Sequence, residues 1–427
     1  TETIIDQGPK FYIAAPAQSF EVTMCQDSNC DSVITNATAG ADVYLRVIAK
    51  DGPSGTGNIA AAYQGLVNFY ADGVPGGPEV MDNDAVMDDY RGLPQKYTFL
   101  PSDFGKKIFQ MRLRKAGLRV LRAEDDTNPA IFGTNNVTIA PTAADRVQVI
   151  ADFDPAGQQS APGRMDSGVE GSTGTPRTKP AGSSVPFLLQ VTDRYWNLVV
   201  SSAAHVYVTD TDDNNTNVSP DGFVNFIGST TIYRTFVSAN ATGWNASASG
   251  QGIYSNPRNP SSNVPVIAGL ADRLLALLPG ETRVQGKWDV PPYGKKDLPS
   301  DSVAGSTLTV AVFGVDPYYN TDPGANFLVA ASVNTDPYDI TPAAHNLVSG
   351  TTNFVFTPVV AATQTIKTES ASLPPATSTY FTPNPVKIWW DRPVKLHLLA
   401  AGQTIDPGKP PYTADPSNGG KSGSPSQ

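Results

Sequence analysis

The chain has few charged residues, few histidines and cysteines, and no long hydrophobic run. Charged residues make up 16% of its 427 residues, whereas about 25% is usual in soluble proteins. The net charge is −10, and lysine and arginine form no cluster that could follow a phosphate backbone. No apolar stretch approaches the roughly 20 residues that span a bilayer. We therefore expect neither nucleic acid binding nor membrane insertion.

Cys25 and Cys30 are the only cysteines. Such a C-x4-C pair supplies half of a metal site, but no second pair of Cys or His residues completes one. We therefore predict a local disulfide, which forms in an oxidising compartment. The sequence starts at Thr1 and shows no signal peptide, which fits a processed secreted protein or a segment of a longer one. We expect an extracellular or cell-surface location.

Catalytic signatures are missing as well. The three histidines, His205, His345 and His397, each lie in or beside an apparent strand, with no serine or cysteine nucleophile motif nearby. The sequence contains no G-x-S-x-G motif, phosphate loop or zinc motif. We expect histidines on the surface or on a strand face, no enzymatic activity, and no cofactor other than a candidate calcium ion.

Small polar residues and turn formers take the place of the missing charges. The chain contains 37 Gly and 37 Pro, together with much Thr, Ser and Asn. A surface of hydroxyl and amide groups, interrupted by frequent turns, is typical of secreted β proteins.

One stretch occurs twice. Residues 181–197 read Ala-Gly, an apolar strand and Asp-Arg-Tyr-Trp-Asn, and residues 304–320 read Ala-Gly, an apolar strand and Asp-Pro-Tyr-Tyr-Asn, at an offset of 123 residues. We call the Asp-x-Tyr-aromatic-Asn pattern at 193–197 and 316–320 the Asp–Asn turn. An earlier copy starts at Ala39-Gly40 and reaches Asp51 and Asn58 after a glycine-rich insertion. A period of this length indicates tandem domains.

Short strands at sandwich spacing are predicted along the whole chain. Residues 43–49 alternate between apolar and other side chains, as a half-buried strand does. In 109–114 the odd-numbered residues are predicted to face inward, and Gln110, Arg112 and Arg114 to face outward. Residues 269–278 are predicted to form a strand rather than a short helix, because they correspond to 147–150. We predict an all-β fold of three tandem β-sandwich domains, at 1–142, 143–268 and 269–393, followed by an orphan strand and loop at 394–427.

These residues resemble the bacterial immunoglobulin-like (Big-type) tandem repeats of large extracellular surface and fibre proteins. The resemblance lies in Ala-Gly before the second strand, an Asp-x-x-x-Asn turn after it, and Tyr97-Thr-Phe followed by Asp103-x-Gly105. The first domain departs from the pattern in the glycine loop at 52–57 and the insertion at 71–95. The resemblance implies that the three tandem domains are Ig-like β-sandwich domains and that the protein lies at the cell surface, and it implies little about chemistry.

Residues 394–427 repeat the opening of a domain without its body. Residues 396–408 are similar to 274–282, and residues 419–425 are similar to 170–176, the loop before the repeated strand. Either the natural chain continues, or this segment completes a sandwich in another molecule by strand addition. The expected subunit contacts are its apolar side chains, Val394, Leu396, Leu398, Leu399 and Ile405.

An acidic loop in the second domain is a candidate calcium site. Its oxygen-bearing residues alternate, as the ligands of a hard cation do, and they are Asp210, Asp212, Asn214, Thr216 and Asp221. The loop lacks the glycine and the terminal glutamate of an EF-hand, and Asp and Asn are also what hairpin turns prefer. The acidic loop at 82–89 is a weaker candidate.

Six N-x-S/T sequons are candidate glycosylation sites. They are Asn36, Asn136, Asn214, Asn217, Asn240 and Asn245. Adjacent aromatic pairs, Trp389-Trp390 and Tyr318-Tyr319, could stack on sugars, but neighbouring strand residues point to opposite faces. Each pair is therefore predicted to divide between core and surface, and Trp196 and Tyr319 are predicted to pack inside.

The function predicted from these observations is structural. We expect a subunit or segment of an extracellular bacterial fibre, sheath or surface filament that assembles with itself, head to tail, by strand addition through 394–427. The alternative is a non-polymerising adhesin stalk or carbohydrate-binding module whose partners are cell-surface glycans. Fibre formation and saturable glycan binding distinguish the two.

Overall fold

The computed structural model describes residues 15–71, 96–163, 171–250, 261–412 and 419–426. Within these ranges the regular elements are strands, apart from two one-turn 3-10 helices, Pro53–Gly55 and Pro101–Asp103. The predicted all-β fold class is therefore confirmed. None of the helices there has the length and apolar character that a membrane crossing requires. The acidic loop at 82–89 lies outside the described residues.

The first core lies between eight strands: β1 (Ser19–Cys25), β2 (Asn36–Thr38), β3 (Asp42–Lys50), β4 (Leu66–Ala71), β5 (Lys96–Thr98), β6 (Lys106–Arg112), β7 (Gly117–Asp125) and β8 (Phe132–Ala140). They form two sheets, ordered β1-β3-β6 and β2-β8-β7-β4-β5. The predicted disulfide between Cys25 and Cys30 is present at the end of β1.

The second core lies between β9 (Arg146–Ala151), β10 (Gln159–Ser160), β11 (Ser172–Thr173), β12 (Lys179–Pro180), β13 (Ser184–Thr192), β14 (Ala203–Asp210), β15 (Gly222–Ile227), β16 (Ser229–Thr235), β17 (Asn240–Trp244), β18 (Ala246–Gly250) and β19 (Val264–Ile267). The sheet orders are β16-β13-β9, β12-β19-β17 and β15-β14-β18, and β10 pairs with β11 as a hairpin.

The third core lies between β20 (Arg273–Leu277), β21 (Thr282–Arg283), β22 (Lys295–Lys296), β23 (Ser302–Val303), β24 (Leu308–Val315), β25 (Leu328–Val333), β26 (His345–Asn346), β27 (Thr351–Phe356), β28 (Thr363–Gln364), β29 (Ile366–Glu369), β30 (Thr379–Phe381) and β31 (Val386–Trp389). The sheet orders are β20-β24-β27, β23-β31-β28 and β26-β25-β29-β30, with the hairpin β21-β22. A last hairpin joins β32 (Thr404–Ile405) and β33 (Lys421–Ser422).

The three cores share one plan. The strand after each Ala-Gly (β3, β13 or β24) pairs antiparallel with the strand that opens the unit and with a third strand (β6, β16 or β27). A short strand (β2, β12 or β23) pairs parallel with the closing strand (β8, β19 or β31). This is an Ig-like sandwich, and we refer to the first, second and third sandwich.

Each core takes its buried apolar residues from one of the three predicted ranges, except that Tyr195 belongs to the first core. Alternation is confirmed in β3 and β6: Leu45 and Met111 are 1% and 0% exposed. The strand predicted in 269–278 is present as β20. One orientation is wrong: Arg114 is 5% exposed rather than outward-facing, because it lies past the end of β6, beneath the second sandwich.

Candidate functional site

The Asp–Asn turn folds in the same way at both positions. In the second sandwich the Asn197 amide donates to Asp193 Oδ1 and the Asn197 side-chain Nδ2 donates to Asp193 Oδ2, both at 2.9 Å. In the third, Asn320 makes the same two bonds to Asp316 at 2.9 and 3.0 Å. The residue before each Asn has a positive φ, 67° and 63°. Each turn is thus closed by its own side chains.

The first turn connects the second sandwich to the first. Asn197 Nδ2 donates to the carbonyl oxygen of Arg114 at 2.7 Å, and Asn197 Oδ1 accepts from the amide of Ala116 at 2.7 Å. Asp193 Oδ2 accepts from the amide of Thr142 at 2.9 Å, where the chain passes between the two sandwiches. Asp193 and Asn197 are 0% and 1% exposed. The motif is therefore a buried junction.

The second turn makes the same three contacts one unit later. Asn320 Nδ2 donates to the carbonyl oxygen of Val237 at 2.8 Å, and Asn320 Oδ1 accepts from the amide of Ala239 at 2.8 Å. Asp316 Oδ2 accepts from the amide of Gly269 at 2.9 Å. The two junctions are therefore chemically the same.

The tyrosine of each turn packs on the glycine of the preceding Ala-Gly corner. Gly40 (φ +73°) lies against the Tyr195 ring and hydroxyl, and Gly182 (φ +82°) lies against the Tyr318 ring. A Cβ at either glycine would overlap the tyrosine. Glycine is required here both for the positive φ and for the close approach.

The aromatic residue after each tyrosine turns inward instead. Trp196 and Tyr319 are 3% and 9% exposed, as predicted. The Arg146 guanidinium lies 4.5 Å from the centroid of the Trp196 ring, and that of Arg273 lies 5.3 Å from the Tyr319 ring. These contacts anchor each turn to the strand that opens its own sandwich.

The first sandwich has a modified turn. The Asp51 amide donates to the Asn58 carbonyl at 3.0 Å, and the Asn58 amide donates to Asp51 Oδ1 at 2.6 Å. The inserted loop between them folds back on β1, where Ser19 Oγ donates to Gly52 O at 2.6 Å and accepts from the Gly55 amide at 2.7 Å. Asn58 is exposed here, whereas Asn197 and Asn320 are buried.

The residues predicted to bind calcium are placed around an arginine. Arg234 Nε donates to Asp210 Oδ2 at 2.7 Å, and its Nη2 donates to Asp221 Oδ1 at 2.9 Å. Asp212 Oδ2 accepts from two backbone amides after β16, at 2.7 and 2.9 Å. Thr216 is exposed. In the described residues no group of three or more His, Cys, Asp or Glu is arranged to hold a metal ion. The calcium site stays a prediction.

The sequon asparagines fall into two groups. Asn36 and Asn136 are exposed, on β2 and β8. The amide nitrogens of the others donate to protein oxygens, and that of Asn214 reaches across the second junction to Gln285 O at 3.2 Å. These interactions involve Asn214, Asn217, Asn240 and Asn245. Glycosylation stays a prediction, and Asn36, Asn136 and Asn217 are the exposed candidate sites.

The Trp pair does not divide between core and surface, so that prediction is wrong for it. Trp389 and Trp390 are 36% and 72% exposed. The inward positions of β31 are taken by Val386 and Ile388, so Trp389 faces outward, and Trp390 lies past the end of the strand. Trp389 Nε1 donates to Asp301 at 2.8 Å.

The three histidines are exposed, and one of them borders a groove. His205 on β14 stacks on Phe223 of β15, with centroids 4.8 Å apart, and Tyr207 meets the same ring edge-on at 4.9 Å. With Asn225 they line an open groove of about 930 Å³. Alternation alone places these aromatic side chains on the outward face of β14 and β15, but their meeting across the two strands was not predicted.

Within 394–412 and 419–426, the chain forms the opening hairpin of a repeat, β32 paired with β33. The amide of Asp406 donates to Gly420 O at 2.8 Å, and Lys409 Nζ donates to Lys421 O at 2.8 Å. The third sandwich has the same bonds from Val284 to Gly294 O and from Lys287 Nζ to Lys295 O, both at 2.9 Å. The strand expected before this hairpin is absent: residues 390–403 pair with no strand of the described chain.

Four of the five predicted subunit-contact residues are exposed, and Leu399 is half-buried. Leu396 and Leu398 are 98% and 85% exposed, whereas their counterparts Leu274 and Ala276 in β20 are both 0% exposed. Val394 and Ile405 are 81% and 67% exposed.

No family model matches the sequence, and no curated protein matches it. Solved structures that resemble the chain include Escherichia coli alpha-2-macroglobulin activated by porcine elastase, at 11% identity and a TM-score of 0.28, over 83% of this chain and 32% of that one. Invasin, a bacterial integrin-binding protein, is 11% identical with a TM-score of 0.25, over 91% and 61% of the two chains. A 1.5-MDa bacterial ice-binding adhesin is 13% identical with a TM-score of 0.15, over 88% and 100%. The chain spans about a third or less of the macroglobulins it resembles. At such TM-scores these likenesses carry no argument about function.

Proposed function

We propose that the chain is a structural segment of an extracellular bacterial fibre, sheath or surface adhesin, without enzymatic activity. The two junctions support this proposal, because each fastens a sandwich to its neighbour through buried hydrogen bonds and a tyrosine. The disulfide supports an oxidising, extracellular compartment.

In its specific form, the proposal is that residues 394–427 join the chain to the next unit by strand addition. The observation that carries it is the exposure of Leu396 and Leu398 in a segment whose hairpin is already formed. Burying one leucine side chain contributes about 1.5–3 kcal/mol, so a strand that covers both has a substantial driving force. When the next unit is a second copy of the chain, head-to-tail contacts of this kind build an open filament.

The experiment is electron microscopy and light scattering of the native protein, the variant without 394–427, and Leu396→Asp/Leu398→Asp. We expect filaments with an axial repeat close to three sandwiches, lost in the deletion and in the double variant. Leu298→Asp is the matched control, because Leu298 is 74% exposed but lies outside the segment. Filaments that persist after the deletion would refute the strand-addition proposal.

A second candidate function, a non-polymerising adhesin or carbohydrate-binding module, is favoured by the groove of His205 and Phe223. Aromatic faces beside amide and imidazole groups suit a sugar, which offers both C–H faces and hydroxyls. Trp390 is a further exposed aromatic. Saturable glycan binding that falls in Phe223→Ala, or in Trp390→Ala, would support this function, and unchanged binding in both variants would count against it.

A further inference from the structure

The third sandwich has the same Ala-Gly corner as the other two. The amides of Gly40, Gly182 and Gly305 donate to Leu113 O, Phe236 O and Pro358 O, each at 2.8 Å. Their φ angles are +73°, +82° and +83°. These bonds hold each corner against the loop that follows β6, β16 or β27.

The loop beside each corner presents a carbonyl and an amide two residues apart. At the first junction these are Arg114 O and Ala116 N, and at the second Val237 O and Ala239 N. These two groups lie one and three residues after the carbonyl that accepts from the glycine amide. In the third sandwich the corresponding groups are Val359 O and Ala361 N.

The third loop is held in the same shape as the second. Asp212 Oδ2 accepts from the amides of Val237 and Ser238 at 2.7 and 2.9 Å. Asp336 Oδ2 accepts from the amides of Val359 and Val360, also at 2.7 and 2.9 Å. The receiving groups are therefore preformed by the third sandwich itself.

The third corner differs from the other two because the described residues place no tyrosine on it. Gly40 and Gly182 lie under a tyrosine, whereas a Cβ at Gly305 would meet no atom of the described residues within 4 Å. In those residues nothing hydrogen-bonds to Val359 O or Ala361 N, and Ala361 is exposed.

The hairpin of β32 and β33 makes the same contacts with the third sandwich that the hairpin of β21 and β22 makes with the second. Gly408 packs on Val359 and Val360, as Gly286 packs on Ser238 at the second junction. Tyr338 Oη donates to Asp406 Oδ2 at 2.6 Å. These residues do not supply an Asp–Asn turn for the corner of Gly305.

We propose that the corner of Gly305, Val359 and Ala361 is a docking site for the Asp-x-Tyr-aromatic-Asn turn of a following Ig-like domain. This rests on the proposal that 394–427 joins the chain to a further unit, and it names the feature that unit carries. The occupant follows from the two junctions within the chain, where the same groups receive the same turn.

A second copy of this chain does not supply that turn. Its turns at 193–197 and 316–320 are buried in its own junctions, and its first sandwich has Ser-Gly-Thr-Gly at 54–57 in place of Tyr-aromatic. The site therefore selects a domain built like the second or third sandwich, and a fibre made of this chain alone leaves the corner uncovered.

The experiment appends a second copy of residues 302–393 after Gln427, so that the appended body continues the register of β33 and brings its own Asp316–Asn320 turn. Hydrogen exchange is followed by mass spectrometry in peptides that contain Ala361. We expect the exchange of this amide to slow at least about tenfold in the extended chain, the factor that corresponds to one hydrogen bond of ordinary net strength. In the extended chain Gly305→Asn should reverse the protection, because its side chain fills the position of the tyrosine.

A comparison in the unextended chain tests whether the corner of Gly305 is uncovered, and it does so even when the appended body does not fold. Asn tolerates a positive φ better than other substitutes for glycine, so Gly305→Asn should leave the thermal midpoints nearly unchanged. Gly182→Asn, which collides with Tyr318, should lower them by several degrees. Equal shifts, or an Ala361 amide that stays unprotected beside a folded appended body, would overturn the proposed site. Neither outcome depends on filament formation, so strand addition through 394–427 can fail or succeed separately.

Discussion

Replacing Asn320 by alanine tests whether the Asp–Asn turn stabilises the array through its junction or only closes itself. Asn320 is 0% exposed. Its side chain donates to Val237 O and Asp316 Oδ2 and accepts from Ala239 N, at 2.8, 3.0 and 2.8 Å. Alanine removes all three bonds and leaves the partners buried at the junction without a replacement.

The expected loss of stability follows from the number of buried polar groups that are left without a hydrogen-bond partner. A buried polar group that loses its partner costs about 1–3 kcal/mol, and two backbone groups and part of a carboxylate are affected here. We expect a loss of about 3–5 kcal/mol in the unfolding free energy of the coupled second and third sandwiches. For units of this size that lowers the midpoint in scanning calorimetry by about 10 °C.

The matched control is Asn58→Ala. Asn58 closes the modified turn through the same kind of bonds to Asp51, but it is exposed, and in the described residues it makes no hydrogen bond to another sandwich. We expect Asn58→Ala to lower the unfolding free energy by less than about 1 kcal/mol. Equal effects of the two substitutions would show that the junction bonds contribute nothing beyond closing the turn, and the role given to both junctions would be refuted.

Two further predictions concern single sandwiches. Burial acts to raise the pKa of Asp152, but the hydrogen bonds of Arg177 and Lys179 hold it well below its ordinary value of 3.8. A carboxylate whose pKa is depressed in the folded state stabilises the fold at pH values above 3.8, and this stabilisation is lost as the pH falls further. The thermal midpoint of Asp152→Asn, measured from neutral to strongly acidic pH, should therefore start lower than that of the native protein and fall less. Reduction, or Cys25→Ser, should lower the stability of the first sandwich by about 2 kcal/mol, the value expected for so short a loop. Calorimetry should show the largest shift in the transition of the first sandwich, and an equal shift in all transitions would contradict the local role of the disulfide.

Most of the fold could be predicted because the pattern that encodes it is local. Alternation in β3 and β6 and the repeated Ala-Gly strand were sufficient to locate the central sheet strands. Arg114 was misplaced because the same alternation continues past the end of β6, where the environment is set by the next sandwich 83 residues later in the chain. A local period carries no information about such a neighbour.

The junction could be located from the sequence but not interpreted. The recurrence of Asp, Tyr and Asn at one spacing showed that these residues matter, and the inward packing of Trp196 was predicted. That Asn197 bonds a different sandwich depends on the angle between neighbouring units, which no short motif specifies. The groove of His205 and Phe223 was missed for a related reason: it requires the pairing of β14 with β15.

The direction of the contacts makes each joint asymmetric. The turn always comes from the following sandwich, and the corner always comes from the preceding one, so Tyr195 contributes to the first core although it belongs to the second unit. The first sandwich gains that side chain only when the second is folded against it. The coupling free energy of each joint stabilises both of its sandwiches, and a sandwich whose corner is uncovered lacks a contribution that the others have. The corner at Gly305 is in that position, because its loop is held ready by Asp336 and the described residues place no tyrosine on it.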